Sequence, residues 1–531
     1  MRPNEERVYP ILLGGKFRQA HYKETFQAYN PATGELLPEI YPVSEWPDLE
    51  KALAESYRLR LELASCHPEK IAAFFDLYAD LLEKNREAIV RQANLETALP
   101  LEPRLNSSEF PRMISQFRQA AEAVRERSWK QATIDTRLNI RSMYGPLGGA
   151  VVVFSPNNFP LAFNSVAGSD LISALACGNP VICKANPSHP GTTRLMSELL
   201  LEALKKSGLP LSAVQMLYHF KSEDGLKMVS HPYVAAVAFT GSKKSGLALK
   251  ETAEKAGKLF YGEMSSINPV FFLPDILKEK ASSLAAELFS SCSLGAGQFC
   301  TKPGLVVILD DDAGKNFLKE LTEIFSSQPA GYLLSPVVME NLKKAVDTLQ
   351  AAGARLLAGG QPLSPPGFRF QPTLFAVSAA RFLEKPGTFQ SEAFGTLTLV
   401  VLAEKVEEIL QVAENLEGTL TCSVYSSQSE TDERIYRQIE PLLRLKCGRL
   451  LNDKMPTGVA VSPAMQHGGP FPATGHPGFT SVGIPAAFWR FTARHCYDNV
   501  REDRLPEELR NKNPKGRMWR LIDGRWTRDD L

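Results

Sequence analysis

Cys300 lies in the run Gly295-Ala296-Gly297-Gln298-Phe299-Cys300-Thr301-Lys302-Pro303, a thiol framed by glycines, glutamine and proline. Glycines let a backbone approach a substrate closely and expose its N–H groups, and a thiolate is a strong nucleophile, so the run reads as a nucleophile presented on a loop. A thiol with a pKa of about 8.5 is only a few per cent ionised at neutral pH, so such a site has to activate it. Taken alone, the run fits a buried core cysteine in a glycine turn equally well.

Five further segments complete a pattern. They are Ser155-Pro156-Asn157-Asn158-Phe159-Pro160, Cys183-Lys184-Ala185-Asn186-Pro187, Phe239-Thr240-Gly241-Ser242, Glu263-Met264-Ser265-Ser266-Ile267-Asn268-Pro269 and Ser391-Glu392-Ala393-Phe394-Gly395. In order and spacing the six resemble the signature blocks of the aldehyde dehydrogenase superfamily, over a span from about residue 12 to about residue 497.

That resemblance implies a chemistry for each block. Oxidising an aldehyde to an acid requires an sp3 carbon bearing an oxyanion, so a nucleophile must first add to the carbonyl; Cys300 would form that thiohemiacetal. Asn158, selected over Asn157 by the Asn-Phe-Pro spacing, would steady the oxyanion together with a backbone N–H beside the thiol. Glu263 matches the general base that activates water for thioester hydrolysis, a group that CoA-acylating relatives generally lack. Its apolar surroundings, Leu259-Phe260-Tyr261 and Met264-Ser265-Ser266-Ile267, are expected to raise its pKa by desolvation.

For the cofactor there is no G-x-G-x-x-G fingerprint. The resemblance implies instead that Gly241 and Ser242 hold a pyrophosphate at a helix N-terminus, with Gly246 as the close-approach residue in the first turn. Lys184 would reach the adenosine ribose, and Glu392 and Phe394 would hold and back the nicotinamide ribose and ring. Many NAD-preferring members carry a Glu three residues after that lysine, where this chain has Pro187-Ser188-His189. Without the carboxylate a 2'-phosphate meets no repulsion, so NADP is the expected cofactor, with NAD as an alternative and Lys184 and His189 as phosphate neighbours.

Finer similarity points to one branch. Pro456-Thr457-Gly458-Val459, the run from Gln466-His467-Gly468-Gly469 to Thr474, and Thr480-Ser481-Val482-Gly483 resemble the 2-oxoglutarate semialdehyde (2,5-dioxopentanoate) dehydrogenases and the NADP-dependent long-chain fatty aldehyde dehydrogenase. Many semialdehyde enzymes of this branch carry an Arg shortly before the Thr-Ser-Val-Gly block, where this chain reads His476-Pro477-Gly478-Phe479. If that Arg holds a substrate carboxylate, its absence leaves apolar or aromatic aldehydes open, with Phe163, Phe299 and Phe471 as candidate tunnel walls. Two other readings keep the thiol or the fold: a cofactor-independent cysteine hydrolase, which needs a His base near Cys300 that no motif reveals, and a non-catalytic binding or structural protein.

The elements that must position these residues follow from length and periodicity. A chain of 531 residues is too long for one core and implies two or more domains. Short apolar runs at 150–154, 181–183, 235–239, 270–273 and 305–309 alternate with helical patterns at 165–176 and 192–206, which predicts an α/β fold with largely parallel sheets. Amphipathic segments at 68–92 and 107–127 are expected to cover one face. The uncharged stretch 142–169 is broken by glycines and prolines and reads as a strand followed by a loop, not a membrane span.

The family architecture implies a Rossmann-type cofactor domain (1–130 and 144–263), an α/β catalytic domain (264–461) and a small β oligomerisation arm (131–143 and 480–500). Within the arm, Phe488-Trp489-Arg490-Phe491 is apolar enough to pair with another subunit, which implies a homodimer or homotetramer. A charged extension, 501–531, follows, expected to be solvated or to line an interface.

Sixty basic against fifty-nine acidic side chains give a net charge of +1, which supplies no field to recruit nucleic acid or an anionic membrane and leaves a small-molecule aldehyde as the expected partner. Eight cysteines without a C-x-x-C pair argue against structural zinc and a disulfide scaffold, so no metal is expected and a reducing cytoplasm is the simplest setting. The charged N-terminus lacks the apolar core of a signal peptide.

Overall fold

The run Ala150–Phe154 carries five apolar side chains and is buried along its length, at the middle of a seven-stranded sheet. The computed structural model describes residues 8–476 and 478–531; the charged residues 1–7 and Pro477 lie outside them. The sheet runs in the order Leu259–Glu263, Val234–Thr240, Ala150–Phe154, Val181–Lys184, Val214–Leu217, Ile11–Leu12 and Phe17–Arg18. The first five strands are parallel and the last two antiparallel. Strands buried on both faces need no polar alternation, which is why these runs are continuously apolar.

Register does the positioning. Lys184 lies beside Phe154 and Leu217, and Thr240 lies beside Glu263, so all of them emerge at the carboxyl ends of the strands. That edge is where ligands bind in open parallel sheets. The helix Lys243–Lys255 begins directly after Thr240, with the Ser242 hydroxyl accepting from the Ser245 N–H as its cap.

A second seven-stranded sheet, in the order Arg355–Ala358, Thr373–Ser378, Leu397–Ala403, Leu305–Leu309, Val270–Phe272, Thr419–Tyr425 and Cys447–Asn452, is parallel except at its first pair. Apolar clusters cover its two faces. The helices depart from periodicity in detail. The segment expected as one helix at 68–92 is two, Pro68–Lys84 and Arg86–Thr97, because Asn85 leaves the helical region (φ −106°, ψ 16°). The helix expected from residue 165 begins at Ser169, after Gly168, where a Cβ would meet the backbone of Phe163 at 2.7 Å. Among the described residues no helix is long and apolar enough to cross a membrane.

The arm forms a five-stranded sheet, Thr492–Asp498, Ile140–Pro146, Thr133–Asp135, Arg520–Ile522 and Arg525–Thr527. Two expectations need correction here. Phe488 and Phe491 are buried in the main core of their own chain, against residues such as Trp129 and Tyr261, and so are not offered to another subunit. The charged extension is not a solvated tail: Leu505, Leu509 and Met518 are buried with Ala132, Ile134 and Met143. Its charges are used internally. Arg520 is fully buried and donates to the carbonyls of Arg510 (2.6 Å), Asn511 (3.2 Å) and Asp529 (2.7 Å), while Glu508 pairs with Lys130 at 2.5 Å.

Removing a buried donor from several carbonyls costs about 1–3 kcal/mol for each group left unsatisfied. Arg520→Ala is therefore expected to lower the denaturant midpoint by about 2–4 kcal/mol of stability. An unchanged midpoint would show that the extension does not form part of the folded arm.

Candidate active site

Three stretches far apart in sequence meet at the carboxyl edge of the first sheet. Glu263 ends the strand Leu259–Glu263 and bridges to Thr474. Cys300 follows a tight turn in which Gly295, Ala296 and Gly297 all have positive φ (56°, 55° and 74°). Gly297 has to be glycine for a second reason, since a Cβ there would lie 2.2 Å from the backbone of Gly395. That contact holds the thiol loop against the loop carrying Glu392 and Phe394. Asn268 anchors the other side, its Nδ2 donating to the carbonyls of Cys300 (2.8 Å) and Lys302 (3.1 Å).

The third stretch brings His467. Its Nε2 lies 3.5 Å from Cys300 Sγ and 3.3 Å from Glu263 Oε1, and Ser481 Oγ donates to Glu263 Oε2 at 3.3 Å. The sulfur, imidazole and carboxylate atoms lie within 4.8 Å of one another, and Glu263 and His467 are only 2% and 3% exposed. His467 carries no role in the sequence reading. It is 167 residues from the thiol, in the run Gln466-His467-Gly468-Gly469 that carries the branch resemblance but gives no sign that its imidazole meets the thiol.

The electrostatics differ from the expectation for Glu263. Burial alone would push its pKa up, but the His467 imidazole, the Cys300 thiol and the Ser481 hydroxyl outweigh burial and hold it below the ordinary carboxylate value. Cys300 moves the other way. Burial, then the Glu263 charge and more distantly Glu392, raise it well above a free thiol, against the pull of Arg112. Cys292, eight residues upstream, is buried in the helix Pro274–Ser293, beside Thr398 Oγ1 at 3.1 Å, and burial pushes it up to about 11.

Asn158 is buried and its Nδ2 donates to the Gln298 carbonyl at 2.8 Å. An amide nitrogen carries two hydrogens, so one remains for a ligand. A cleft of about 300 Å³ joins Asn158, Glu263 and Cys300 to Gly241, Ser242, Glu392 and Phe394. Thr240 also lines it, with a buried hydroxyl that meets no partner among the described residues. This orphan hydroxyl beside a capped helix N-terminus fits the polar groups of a dinucleotide. Glu392 is raised to about 7 by burial, opposed by hydrogen bonds from Ser265.

The remaining cofactor candidates stand outside that cleft. Gly246 is buried in the helix's first turn, where a Cβ would meet the Met264 side chain at 2.7 Å. Lys184 ends its strand without an acidic partner among the described residues, and burial lowers its pKa to about 8. His189 is the correction. It is wholly buried, its Nε2 engages the Pro156 carbonyl at 3.0 Å, and burial drives its pKa to about 4, so it presents no cation to a phosphate. A second cleft, of about 490 Å³, is lined by Phe159 and Phe299. Phe163 stands beside it, its ring 6.4 Å from that of His467, whereas Phe471 does not line it and is 61% exposed.

Comparison with known proteins identifies the family. The profile of the aldehyde dehydrogenase family matches residues 17–469. The chain belongs to the aldehyde dehydrogenase family. It is similar to alpha-ketoglutaric semialdehyde dehydrogenase 2 of Azospirillum brasilense, 37% identical over 94% of this chain and 96% of that one. It is also similar to the alpha-ketoglutaric semialdehyde dehydrogenase of Acinetobacter baylyi, 32% identical over 96% and 98%. Among solved structures its fold is like that of an aldehyde dehydrogenase from Bacillus cereus (TM-score 0.78, 20% identity, 92% and 96% covered). A 1-pyrroline-5-carboxylate dehydrogenase from Thermus has the same fold (TM-score 0.79, 21% identity, 92% of each chain). This aldehyde dehydrogenase is thus an oxidoreductase acting on aldehydes with a nicotinamide cofactor.

The thiol's acidity gives a direct check on the cluster. Glu263→Gln removes a negative charge that raises the Cys300 pKa, so the midpoint of iodoacetamide alkylation against pH is expected to fall. An unchanged or higher midpoint would separate the carboxylate from the thiol.

Proposed function

We propose that this aldehyde dehydrogenase oxidises a semialdehyde to the corresponding acid through a covalent adduct on Cys300, with His467, Glu263 and Asn158 as its partners. The observation that carries the reading is the buried sulfur, imidazole and carboxylate cluster opening on a cleft rimmed by polar groups for a dinucleotide.

The thiol is protonated at rest, so attack on the carbonyl has to be coupled to loss of its proton. With the other ring nitrogen protonated, His467 Nε2 accepts that proton across 3.5 Å. It then becomes a donor to Glu263 Oε1 at 3.3 Å, whose charge stabilises the imidazolium. The sulfur–carbon bond forms, and the oxyanion takes the free amide hydrogen of Asn158 and a backbone N–H beside the thiol. A nicotinamide cofactor would supply the oxidation, as acceptor of the hydride that leaves the adduct carbon when its oxyanion becomes a carbonyl. Cys300 is left as an acyl thioester. Glu263 draws a proton from water, whose oxygen attacks the acyl carbon; the carbon–sulfur bond breaks, and the departing thiolate takes its proton back from His467 as the acid departs. Gly241, Ser242, Thr240, Glu392 and Phe394 would hold the cofactor in the cleft and Lys184 its more distant part, with Gly246 letting the helix pack close against Met264.

Lys184 without a carboxylate neighbour supports NADP as the preferred cofactor. The similarity to two semialdehyde dehydrogenases supports a semialdehyde substrate. The Thr492–Asp498 strand leaves one edge of the arm sheet unpaired, which supports a homodimer or homotetramer. Eight free cysteines support a reducing, cytoplasmic setting. His467 beside the thiol also favours a second activity, ester hydrolysis by the same nucleophile.

Reduced cofactor is followed at 340 nm with NADP and NAD, using 2,5-dioxopentanoate, succinic semialdehyde, benzaldehyde and long-chain alkanals. Cys300→Ser is expected to abolish the signal and Asn158→Ala to lower kcat by about 10²- to 10³-fold. NADP is expected to give the higher kcat/KM. No signal with any aldehyde from folded protein would overturn the reading.

A further inference from the structure

The wider cleft, whose wall includes Phe299 next to Cys300, is lined by apolar residues, Ser108, Ser115 and three charged side chains, Arg104, Glu109 and Arg112. Two of these charges cancel. Arg104 Nη1 pairs with one Glu109 oxygen, and the other accepts from the backbone N–H groups of Leu161 (2.8 Å) and Ala162 (2.9 Å). Arg104 Nη2 is used as well, donating to the Asn158 carbonyl at 2.9 Å. Arg112 is the charge left over.

Arg112 stands in the first turn of the helix Phe110–Glu126. Its Nε and Nη2 are buried and meet no acceptor among the described residues. Its guanidinium carbon lies 5.0 Å from the Phe163 ring centre and 5.7 Å from that of Phe159. The same rings flank the reacting cluster: Phe163 faces His467, and Phe159 meets Phe299, the residue before the thiol, at 5.4 Å. Aromatic faces attract the cation but accept none of its in-plane N–H bonds. A buried guanidinium with unmet donors is unfavourable until an acceptor arrives.

We propose that Arg112 is a carboxylate-binding subsite, holding the distal carboxylate of a semialdehyde whose aldehyde carbon lies at Cys300. The guanidinium fork matches a carboxylate's two oxygens. One uncompensated cation suits a monoanion, and the apolar walls suit the intervening carbon chain. The subsite also accounts for the missing arginine near His476: the charge enters from another element. This assignment rests on the reading of Cys300 as the aldehyde nucleophile.

The test compares kcat/KM for succinic semialdehyde and 2,5-dioxopentanoate with butanal and pentanal, in wild type, Arg112→Met and Arg112→Lys. Wild type is expected to prefer the carboxylated aldehydes. Arg112→Met is expected to lower the ratio of carboxylated to plain aldehyde by on the order of 10²-fold, through KM, with part recovered in Arg112→Lys. Glutarate is expected to compete with pentanal in wild type and to lose that competition in Arg112→Met. A ratio unmoved by the methionine, an equal loss on both substrate types, or glutarate inhibition retained would overturn the subsite. Wild type that oxidises pentanal without preferring the semialdehyde would overturn the subsite alone, whereas wild type that oxidises neither would overturn the Cys300 reading with it.

Discussion

A carboxylate taken almost wholly out of water has to be surrounded by donors, and Glu263 is the group around which the rest of the site is assembled. No single element supplies those donors. The strand that ends in Glu263 belongs to the first sheet, the thiol loop leads into the second, and His467 and Ser481 come from the chain that returns between them. Desolvation of one side chain thus couples the two sheets' loops, and folding of the pieces is a condition for the cluster to exist.

The same demand explains the rigidity around the thiol. Asn268 sits at φ 50° so that its amide can hold the Cys300 and Lys302 carbonyls. Lys302 is itself buried and donates to the Leu397 carbonyl at 2.5 Å. Gln298 joins in, its Nε2 donating to Gly295 and Tyr332 and its Oε1 accepting from the Leu334 N–H. A nucleophile positioned to a few tenths of an ångström needs its own backbone fixed first. The thiol loop has spent nearly all its polar groups on that task, and the sulfur faces the cluster.

Continuously apolar strands, prolines before helices and glycines at turns made the parallel sheets legible in the sequence, because local chemistry decides those features. Cys300 stands out by its glycine-framed loop, whereas Glu263, Glu392 and Lys184 are singled out through the family resemblance; Glu263 and Lys184 end strands and Glu392 lines the cleft. What pattern cannot show is a meeting across sequence. His467 faces the thiol from 167 positions away, Arg112 belongs to an ordinary amphipathic helix, and His189 is neutralised by a cavity that no local spacing reports. The charged extension misled for a related reason: Arg520 and Glu508 look like solvent residues until the backbone carbonyls and cations that accompany their burial are known.

The charge distribution in the cluster has a mechanistic consequence. A carboxylate held below its usual pKa beside a thiol held above its own means that one proton and one negative charge are shared by neighbours, with the proton on sulfur. A thiolate standing ready would be the more reactive toward oxidants as well as toward aldehydes. In the reaction proposed for Cys300 the sulfur is protonated at rest, and its nucleophilicity appears when a carbonyl carbon is near enough for bond formation to offset proton loss. The imidazole between the two groups makes that exchange local. Its Nε2 lies within reach of both the sulfur (3.5 Å) and the carboxylate (3.3 Å), so in the proposed reaction the imidazolium forms beside a counter-charge. Substrate arrival and thiol activation are therefore one event, and the cluster's burial is what enforces it.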